Sequence, residues 1–484
     1  MQFSVIQRIL GLMLVAFSFT TLPAMLVSLI YTDGELIALF HSFAITLITG
    51  LVLWLPVKNR RRELRPRDGF MIVVLFWTTL GIFGALPFIL AHEPHLSLTN
   101  ALFESISGLT TTGSTVLSGI DSLPKSILYY RQQLQWLGGM GIVVLALAIM
   151  PMLGIGGMQL YRAETPGPMK DTRLTPRITE TAKALWYIYL TLTIACAIGY
   201  WVAGMNVFDA IAHSYATVSI GGFSTHDASL GFYTHNPSIE IVAIIFMILS
   251  GANFALHFTA WRRRNLAHYF ADSEFKTYLV LLFVISAITC VYLYSQHIVT
   301  HLNQAVLHGI FQSVSIATTT GFTTRGYHTW PSFLPALLMF SSFVGACAGS
   351  TGGGMKTIRF LLMIKQGTRE VVRMIHPNSV VTLKLDGKPL PDHVISAVWG
   401  FFSAYIATFS IILLLLMMTG LDQVSAFSAT AAAINNLGPG LNSVAANYAG
   451  ITDGAKWILI FAMLIGRLEL LSLLVMFTPS FWRR

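Results

Sequence analysis

Phe311-Gln312-Ser313-Val314-Ser315-Ile316-Ala317-Thr318-Thr319-Thr320-Gly321 can be laid without a gap on Phe103-Glu104-Ser105-Ile106-Ser107-Gly108-Leu109-Thr110-Thr111-Thr112-Gly113. Phe, both Ser, all three Thr and Gly coincide. Two weaker copies fit the same ruler and end at Gly222 (Ser219-Ile220-Gly221-Gly222) and Gly438 (Asn435-Asn436-Leu437-Gly438). The four glycines are 109, 99 and 117 residues apart. Four copies of one short element at spacings of this size imply four loops that converge on one axis.

Composition says where such loops sit. Hydrophobic residues make up 54% of the 484, charged residues only 11%, and mean hydropathy is +0.67. A soluble domain needs far more surface charge. Apolar spans at about 5–30, 35–56, 69–91, 127–153, 183–204, 238–260, 274–295, 333–364, 393–418 and 455–478 are long enough to cross a bilayer. The expectation is an all-α polytopic membrane protein with ten transmembrane helices. Cys196, Cys290 and Cys347 lie inside apolar runs, with no disulfide or metal-ligand spacing. The first run is longer than a signal-peptide core and lacks a cleavage site, so it is expected to stay as a helix.

A shorter, less apolar segment precedes each glycine, as at about 98–110, and a span follows. Each unit therefore is helix, half-helix, glycine loop, helix. The units fall at 68–160, 181–264, 273–365 and 393–480, after an N-terminal helix pair at 1–57 and around a polar connector at 366–392. That connector, with Gly387, Pro389 and Pro391, suits a cytoplasmic hairpin or ordered loop. Of 30 Lys and Arg, 25 lie at the N-terminus, at 58–67, 162–183, 262–276 and 356–388, or at the C-terminus. By parity these segments share one side of a ten-span chain, and the positive-inside rule makes that side cytoplasmic. Lys125, Arg131, Arg325 and Lys456 fall on the glycine-loop side, and Arg467 lies within a span. The net charge of +9 is thereby explained without nucleic acid.

A dehydrated alkali cation needs several oxygen ligands around it, and backbone carbonyls supply them without formal charge. Aiming successive carbonyls at one axis takes unusual φ/ψ, which Gly adopts cheaply. Irregular backbone at membrane depth is tolerated where it is buried in protein or lines water. The half-helix presents the negative end of its dipole. One Thr-Thr-Thr-Gly would pass for an ordinary turn; four in matching context are expected to be pore loops. Ile220 and Gly221 replace Thr111 and Thr112, and Asn435, Asn436 and Leu437 replace three threonines. A site built from carbonyls tolerates that, and one built from side chains does not.

On these residues the chain resembles the superfamily of bacterial Trk and Ktr and plant HKT potassium transporters, over about residues 69–478. The resemblance implies four helix–pore-loop–helix units in pseudo-fourfold arrangement around one pore, each keeping one filter glycine. Gly113, Gly222, Gly321 and Gly438 match those glycines. With them, Thr110, Thr111, Thr112, Ser219, Ile220, Gly221, Thr318, Thr319, Thr320, Asn435, Asn436 and Leu437 are the expected potassium-binding filter residues. The extra pair at about 5–56 resembles the TrkH branch rather than the shorter Ktr type. In the plant branch a Ser in the first loop accompanies sodium preference; Gly113 thus points to potassium. The resemblance further implies uptake into the cell across a bacterial inner membrane, either down the gradient or coupled to another ion. It also implies a homodimer, cytoplasmic termini, and a cytosolic ring of TrkA-type subunits that bind nucleotide. No covalent cofactor is expected, and any nucleotide acts through that partner. The basic stretch 356–388 is a candidate docking surface for it.

Gly345-Ala346-Cys347-Ala348-Gly349-Ser350-Thr351-Gly352-Gly353-Gly354-Met355-Lys356 interrupts the third unit's last helix. Met355 between Gly354 and Lys356 spoils a phosphate-loop spacing, and no strand precedes it. Glycines also serve close helix packing, but five in ten residues favour a helix break. The resemblance implies an intramembrane loop that blocks the pore and moves to open it, with Gly345, Gly349, Gly352, Gly353, Gly354 and Lys356 as gate residues. Arg467 lies 29 residues past Gly438, much as Gly352 lies 31 past Gly321. A charge at that depth is costly unless it meets water or polar partners. Glu469, two residues on, points elsewhere on a helix. Arg467 is therefore expected to contact the glycine-rich loop and repel cations when the pore is closed; the alternative is a structural or snorkelling arginine.

Other signals are weaker. His92-Glu93-Pro94-His95 is not a zinc motif. His297, His301 and His308 are expected at an interface without carboxylate partners. Trp54, Trp77, Tyr129, Tyr130, Trp457 and Trp482 suit an interfacial belt. No nucleophile–base pair suggests an enzyme. The rival to a pore is an ion-coupled secondary transporter with alternating access at a midplane site, which predicts two inverted repeats rather than four alike.

Overall fold

A computed structural model of the chain describes residues 2–59, 66–141, 178–468 and 470–482. The basic loop through residue 177, the far part of the 127–153 span, Glu469 and the terminal Arg483-Arg484 lie outside the described residues.

Among the described residues, six helices are long and apolar enough to span a membrane: Phe3–Tyr31, Leu36–Val57, Arg67–Leu90, Ala182–Val202, Ser273–Ser295 and Asp392–Met418. The first two are the N-terminal pair. The other four are the leading helices of the four repeats. The remaining four of the ten expected spans are the trailing helices, the third of them broken at the glycine-rich stretch as its sequence implies. These are Lys125–Gly139, Pro237–Gly251, Phe333–Val344 and Asp453–Arg467, each only 12 to 15 residues. The second trailing helix resumes as Phe254–Arg263 after a 95° bend. The third resumes as Thr357–Ile375 beyond the glycine-rich stretch. A break at this depth is thus not confined to the third repeat. The connector boundary at 366 falls inside Thr357–Ile375; beyond it, β1 (Lys384–Leu385) and β2 (Lys388–Pro389) form a two-stranded antiparallel hairpin. Its turn residues Asp386 and Gly387 have φ of 49° and 77°, as a two-residue hairpin requires.

Between each leading and trailing helix lies a short helix: Leu98–Leu109, Val207–Val218, Leu302–Ala317 and Gln423–Ile434. Three start on a side-chain cap. Ser97, Asn206 and Asp422 accept the backbone N–H of Asn100, Asp209 and Ser425, three residues on. The short helices are buried in protein, so their polar residues must find partners inside. Glu104 and Arg131, both fully buried, pair at 2.7 Å. Glu104 also accepts from Thr115 Oγ1 and the Val116 N–H, while Arg131 donates to the Ser224 carbonyl and lies over the Phe223 ring. Arg131 is therefore no outer-loop charge: it joins the first repeat to the second from inside a helix. Lys456 is likewise buried and donates to Asn100 Oδ1 at 2.8 Å, joining the fourth repeat to the first.

Two further expectations fail on burial. Trp77 and Tyr130 are core residues, not part of an interfacial belt. His308 does have a carboxylate: its Nδ1 lies 3.3 Å from Glu240 Oε2, with both side chains buried. His308 is on the third short helix and Glu240 on the second trailing helix, 68 residues apart in sequence. The N-terminal pair packs by close backbone approach. A Cβ on Gly11 would meet Trp54 N at 2.7 Å, and one on Gly50 would meet Val15 N at 2.7 Å.

Candidate functional site

The four short helices end in one way. Thr111, Ile220, Thr319 and Asn436 each sit two residues before a glycine of the ruler, and all four have left-handed φ, at 55°, 55°, 67° and 52°. Their N–H groups bond three residues back, at 3.0 Å to Gly108, 3.1 Å to Thr217, 3.0 Å to Ile316 and 3.3 Å to Ala433. The next N–H, of Thr112, Gly221, Thr320 and Leu437, bonds five residues back to Ser107, Ala216, Ser315 and Ala432 at 2.8–2.9 Å. This is the Schellman ending, which satisfies helix-terminal carbonyls without water. Its left-handed position usually holds Gly or Asn. Here only Asn436 conforms, and a β-branched residue such as Ile220 is costly there, by about 1–3 kcal/mol. The sequence ruler found these residues but not their conformation.

The glycines follow, with φ of 81°, 77°, 84° and 100°. A Cβ on Gly113 would strike the carbonyl oxygen of Gly221, one on Gly222 that of Thr320, and one on Gly321 that of Leu437. One on Gly438 would meet the Thr112 carbonyl oxygen at 2.7 Å. The order runs first to second, second to third, third to fourth and fourth to first. The ring closes, with each glycine packed against the carbonyl that precedes its neighbour's glycine. Side chains lock it alike in the first and third repeats and differently in the second and fourth. Thr110 pairs with Thr112 and Thr318 with Thr320, hydroxyl to hydroxyl, at 2.8 and 2.7 Å. Asn435 Oδ1 accepts from Tyr405 at 2.5 Å, and Asn436 donates to Thr112 Oγ1 at 2.9 Å. Gln135 spans the Gly221 carbonyl and the Phe223 N–H, while Ser219 bonds back to Ala216.

Beneath the ring, on the side where the trailing helices end, lies the stretch 345–356. Gly345, Gly349 and Gly354 have φ of 68°, 73° and 73°, and Lys356 has 77°. Gly353 N–H donates to Thr319 Oγ1 at 2.7 Å and Gly354 N–H to the Asn435 carbonyl at 3.1 Å. Thr351 Oγ1 donates to the Val218 carbonyl at 2.9 Å. A Cβ on Gly352 would meet the Thr318 carbonyl at 3.0 Å. The loop thus touches the second, third and fourth short-helix ends. Arg467 completes the set. It donates to Thr111 Oγ1 at 3.2 Å in the first repeat, to the loop at the Thr351 carbonyl at 3.2 Å, and to the Gly138 carbonyl at 2.5 Å. Its guanidinium also lies 5.5 Å from the Trp77 ring centre. Lys356 Nζ turns back onto the Gly352 carbonyl. The expected filter residues and gate residues are therefore brought together in two layers, ring above and loop below.

A family model described as a cation transport protein matches residues 36–484. The chain belongs to the TrkH family. TrkH-family relatives named Trk system potassium uptake protein TrkH are 54% identical in Vibrio parahaemolyticus and 53% in Escherichia coli K12, each over the whole of both chains. The Escherichia coli K12 protein named TrkG is 39% identical over 99% of this chain and 98% of its own. The crystal structure of the potassium transporter TrkH from Vibrio parahaemolyticus matches with a TM-score of 0.91 at 52% identity, covering all of both chains. The TrkH-family fold is thereby shared throughout.

Proposed function

We propose that this chain conducts potassium into the cell through the glycine ring. The observation that carries this reading is the closed order of contacts, Gly113 to Gly221, Gly222 to Thr320, Gly321 to Leu437 and Gly438 to Thr112. Carbonyl oxygens presented by four strands in a ring replace the hydration shell of an alkali cation. The four short helices bring the negative ends of their dipoles to the same place. The names of the relatives support potassium as the substrate.

The stretch 345–356 and Arg467 together contact all four short-helix ends, which supports reading this arrangement as the closed pore. Opening requires the loop to leave Thr319 and Asn435. Arg467 adds a positive charge to the path and repels cations until its bonds to Thr111 and Thr351 are rearranged. The basic segments favour a reading with the termini and the connector in the cytoplasm of a bacterial cell and the chain in its inner membrane. Two copies assemble, each with its own pore. A cytosolic TrkA-type ring docks on the basic connector and supplies nucleotide control that this chain lacks.

Rubidium uptake by potassium-transport-deficient cells that also express the TrkA-type partner tests the reading. Wild type restores uptake and Gly113→Ser impairs it or admits sodium. No uptake with wild type in the membrane would overturn the proposal.

A further inference from the structure

The bend in the second trailing helix leaves a patch that ion conduction does not use. Phe254–Arg263 turns 95° from Pro237–Gly251, so it runs across the membrane rather than through it. Its depth follows from its neighbours. The Phe254 ring lies 6.0 Å from Tyr189, seven residues inside a span that starts at Ala182, or about 10 Å in. At the other end, the helix Ala267–Ala271 stops just before the span that begins at Ser273. The residues from Trp261 to Asp272 therefore sit at the boundary of the apolar layer.

This boundary segment carries Arg262, Arg263 and Arg264 in succession, all exposed, and among the described residues none has a carboxylate partner. Around them Trp261, Leu266 and Phe270 are 62%, 72% and 66% exposed. Lys276 adds a fourth exposed cation. The nearby carboxylates are engaged elsewhere. Asp272 caps the helix it precedes, Glu274 accepts from Ala348 and Ile358, and Asp386 accepts from Ser273. Apolar and aromatic side chains beside unpaired guanidiniums, at this depth, match a surface of acyl chain below and phosphate above. A water-facing docking site would not need Trp, Leu and Phe exposed together at the edge of a span.

The segment is also tied to the loop below the ring. His257 accepts or donates at both ring nitrogens, 2.6 Å from Tyr269 and 2.8 Å from the Leu249 carbonyl, and so fixes the bend. On the far side of the bend, Phe254 N–H donates to the Gly349 carbonyl at 3.0 Å, and Cys347 N–H to the Gly251 carbonyl at 2.9 Å. A displacement of Trp261–Phe270 is carried through this strut to the glycine-rich stretch.

We propose that Trp261–Phe270 is a binding site for anionic phospholipid headgroups, and that lipid held there sets the position of the 345–356 loop. The second half rests on the gating role given above; the first half does not. The test uses the full chain, purified, stripped of lipid and offered phosphatidylglycerol or phosphatidylcholine. Retained lipid is counted by native mass spectrometry, and rubidium flux is measured in vesicles of each lipid with the TrkA-type partner and its nucleotide added. Replacing all three arginines (R262Q, R263Q, R264Q) weakens phosphatidylglycerol retention by roughly a hundredfold, since each basic residue near an anionic surface contributes about fivefold. The charge-matched control R373Q, K384Q, K388Q leaves retention unchanged. The triple lysine variant (R262K, R263K, R264K) keeps most of it; equal loss in the lysine and glutamine variants would mark a structural role and overturn the site. Retention unaffected by the glutamine triple would also overturn it, including where that variant instead loses a soluble acidic partner. If phosphatidylglycerol is retained but no vesicle conducts rubidium, the ion-conduction reading fails and the lipid site stands. If flux occurs but does not differ between the two lipids, the coupling to the loop is overturned.

Discussion

The ends of the short helices and the ends of the trailing helices touch, yet they follow opposite rules. A Cβ on Gly138 would collide with the Leu109 carbonyl, and one on Gly466 with that of Ile434. The short-helix ends are one backbone solution used four times, with Thr, Ile, Thr and Asn at the same left-handed position. The trailing-helix ends share only their depth. One bends by 95°, one opens into a glycine loop, and one ends on Arg467. Equivalent ligands around an ion demand equivalence, and a carbonyl site obtains it from backbone whatever the side chains. A gate has no such demand, because one obstruction suffices. The equivalence above also depends on props that differ. At the position eighteen after each glycine, Arg131 pairs with Glu104, Glu240 with His308 and Lys456 with Asn100, while the third repeat holds Met339.

The sharpest way to break this comparison is to remove one such prop. Arg131→Leu leaves the Glu104 carboxylate buried and unpaired, and is expected to destabilise the protein by about 3–5 kcal/mol, measured as detergent-resistant folded fraction against denaturant. The double change with Glu104→Leu recovers much of that loss; no recovery would mean the pair does not act as a unit. Next comes the ring. Gly222→Ala puts a methyl onto the Thr320 carbonyl and is expected to lower rubidium uptake about a hundredfold, as a shift of about 1 Å does at a positioned site. Equal losses at all four glycines sharpen the fourfold rule, and a silent glycine breaks it. Below the ring, Arg467→Gln is expected to raise flux about tenfold, with Gly353→Ala, whose methyl meets the Asn435 carbonyl, acting in the same direction. Unchanged flux in both would leave the lower layer without a gating role. Smaller still, Thr112→Ser or Thr320→Ser keeps its hydroxyl partner and leaves uptake within about twofold.

The last test lies on the outer loops. His226 Nδ1 meets Asp121 Oδ1 at 2.5 Å, and its Nε2 lies 3.3 Å from Asp209 Oδ2. Burial works against its protonation, but hydrogen bonds to Asp209 and Asp121 outweigh it and raise its pKa above the ordinary imidazole value. A raised folded pKa means that the stabilisation is complete below the unfolded value near 6.5 and is lost as pH rises through the folded one. Melting temperature is therefore expected to fall modestly across that window, and Asp121→Asn to flatten the fall.

Much of the upper layer was legible because a glycine in a forced conformation is a residue that cannot be disguised. The ruler that aligned Gly113 and Gly321 also aligned Gly222 and Gly438, and the structure assembles all four. The left-handed residue two before each was not legible, since Ile220 has no intrinsic preference for that conformation and is held there by its surroundings. Arg131 and Lys456 were assigned to the outer side by charge counting, which cannot distinguish a loop from the buried first turns of a helix. Extending the ruler eighteen residues past each glycine would have aligned them with Glu240. Sequence proximity offers His308 no carboxylate, because its partner Glu240 belongs to the preceding repeat and is a neighbour only around the ring. Trp77 and Tyr130 were assigned to the interface by type, whereas tertiary packing decides. The lower layer was legible only where composition was extreme, at the five glycines and at Arg467. The 95° bend at Ala252–Asn253 has no proline and no glycine run to announce it.

The fourth repeat seals the ring onto the first. Gly438 lies against Thr112, Ser114 Oγ donates to the Gly438 carbonyl at 2.9 Å, Asn436 donates to Thr112, and Tyr448 N–H donates to the Thr115 carbonyl at 2.8 Å. These contacts join residues more than 320 apart in the sequence. During synthesis the first three repeats enter the bilayer with a side of the future pathway still open to their neighbours. On the proposed reading no ion site is complete until the last hundred residues arrive, and Arg467, which bonds the ring's Thr111 and the loop's Thr351, belongs to that same final piece. If the ring conducts ions as proposed, a ribosome that stalls early releases a chain without a closed ring, and the cell is spared a leak.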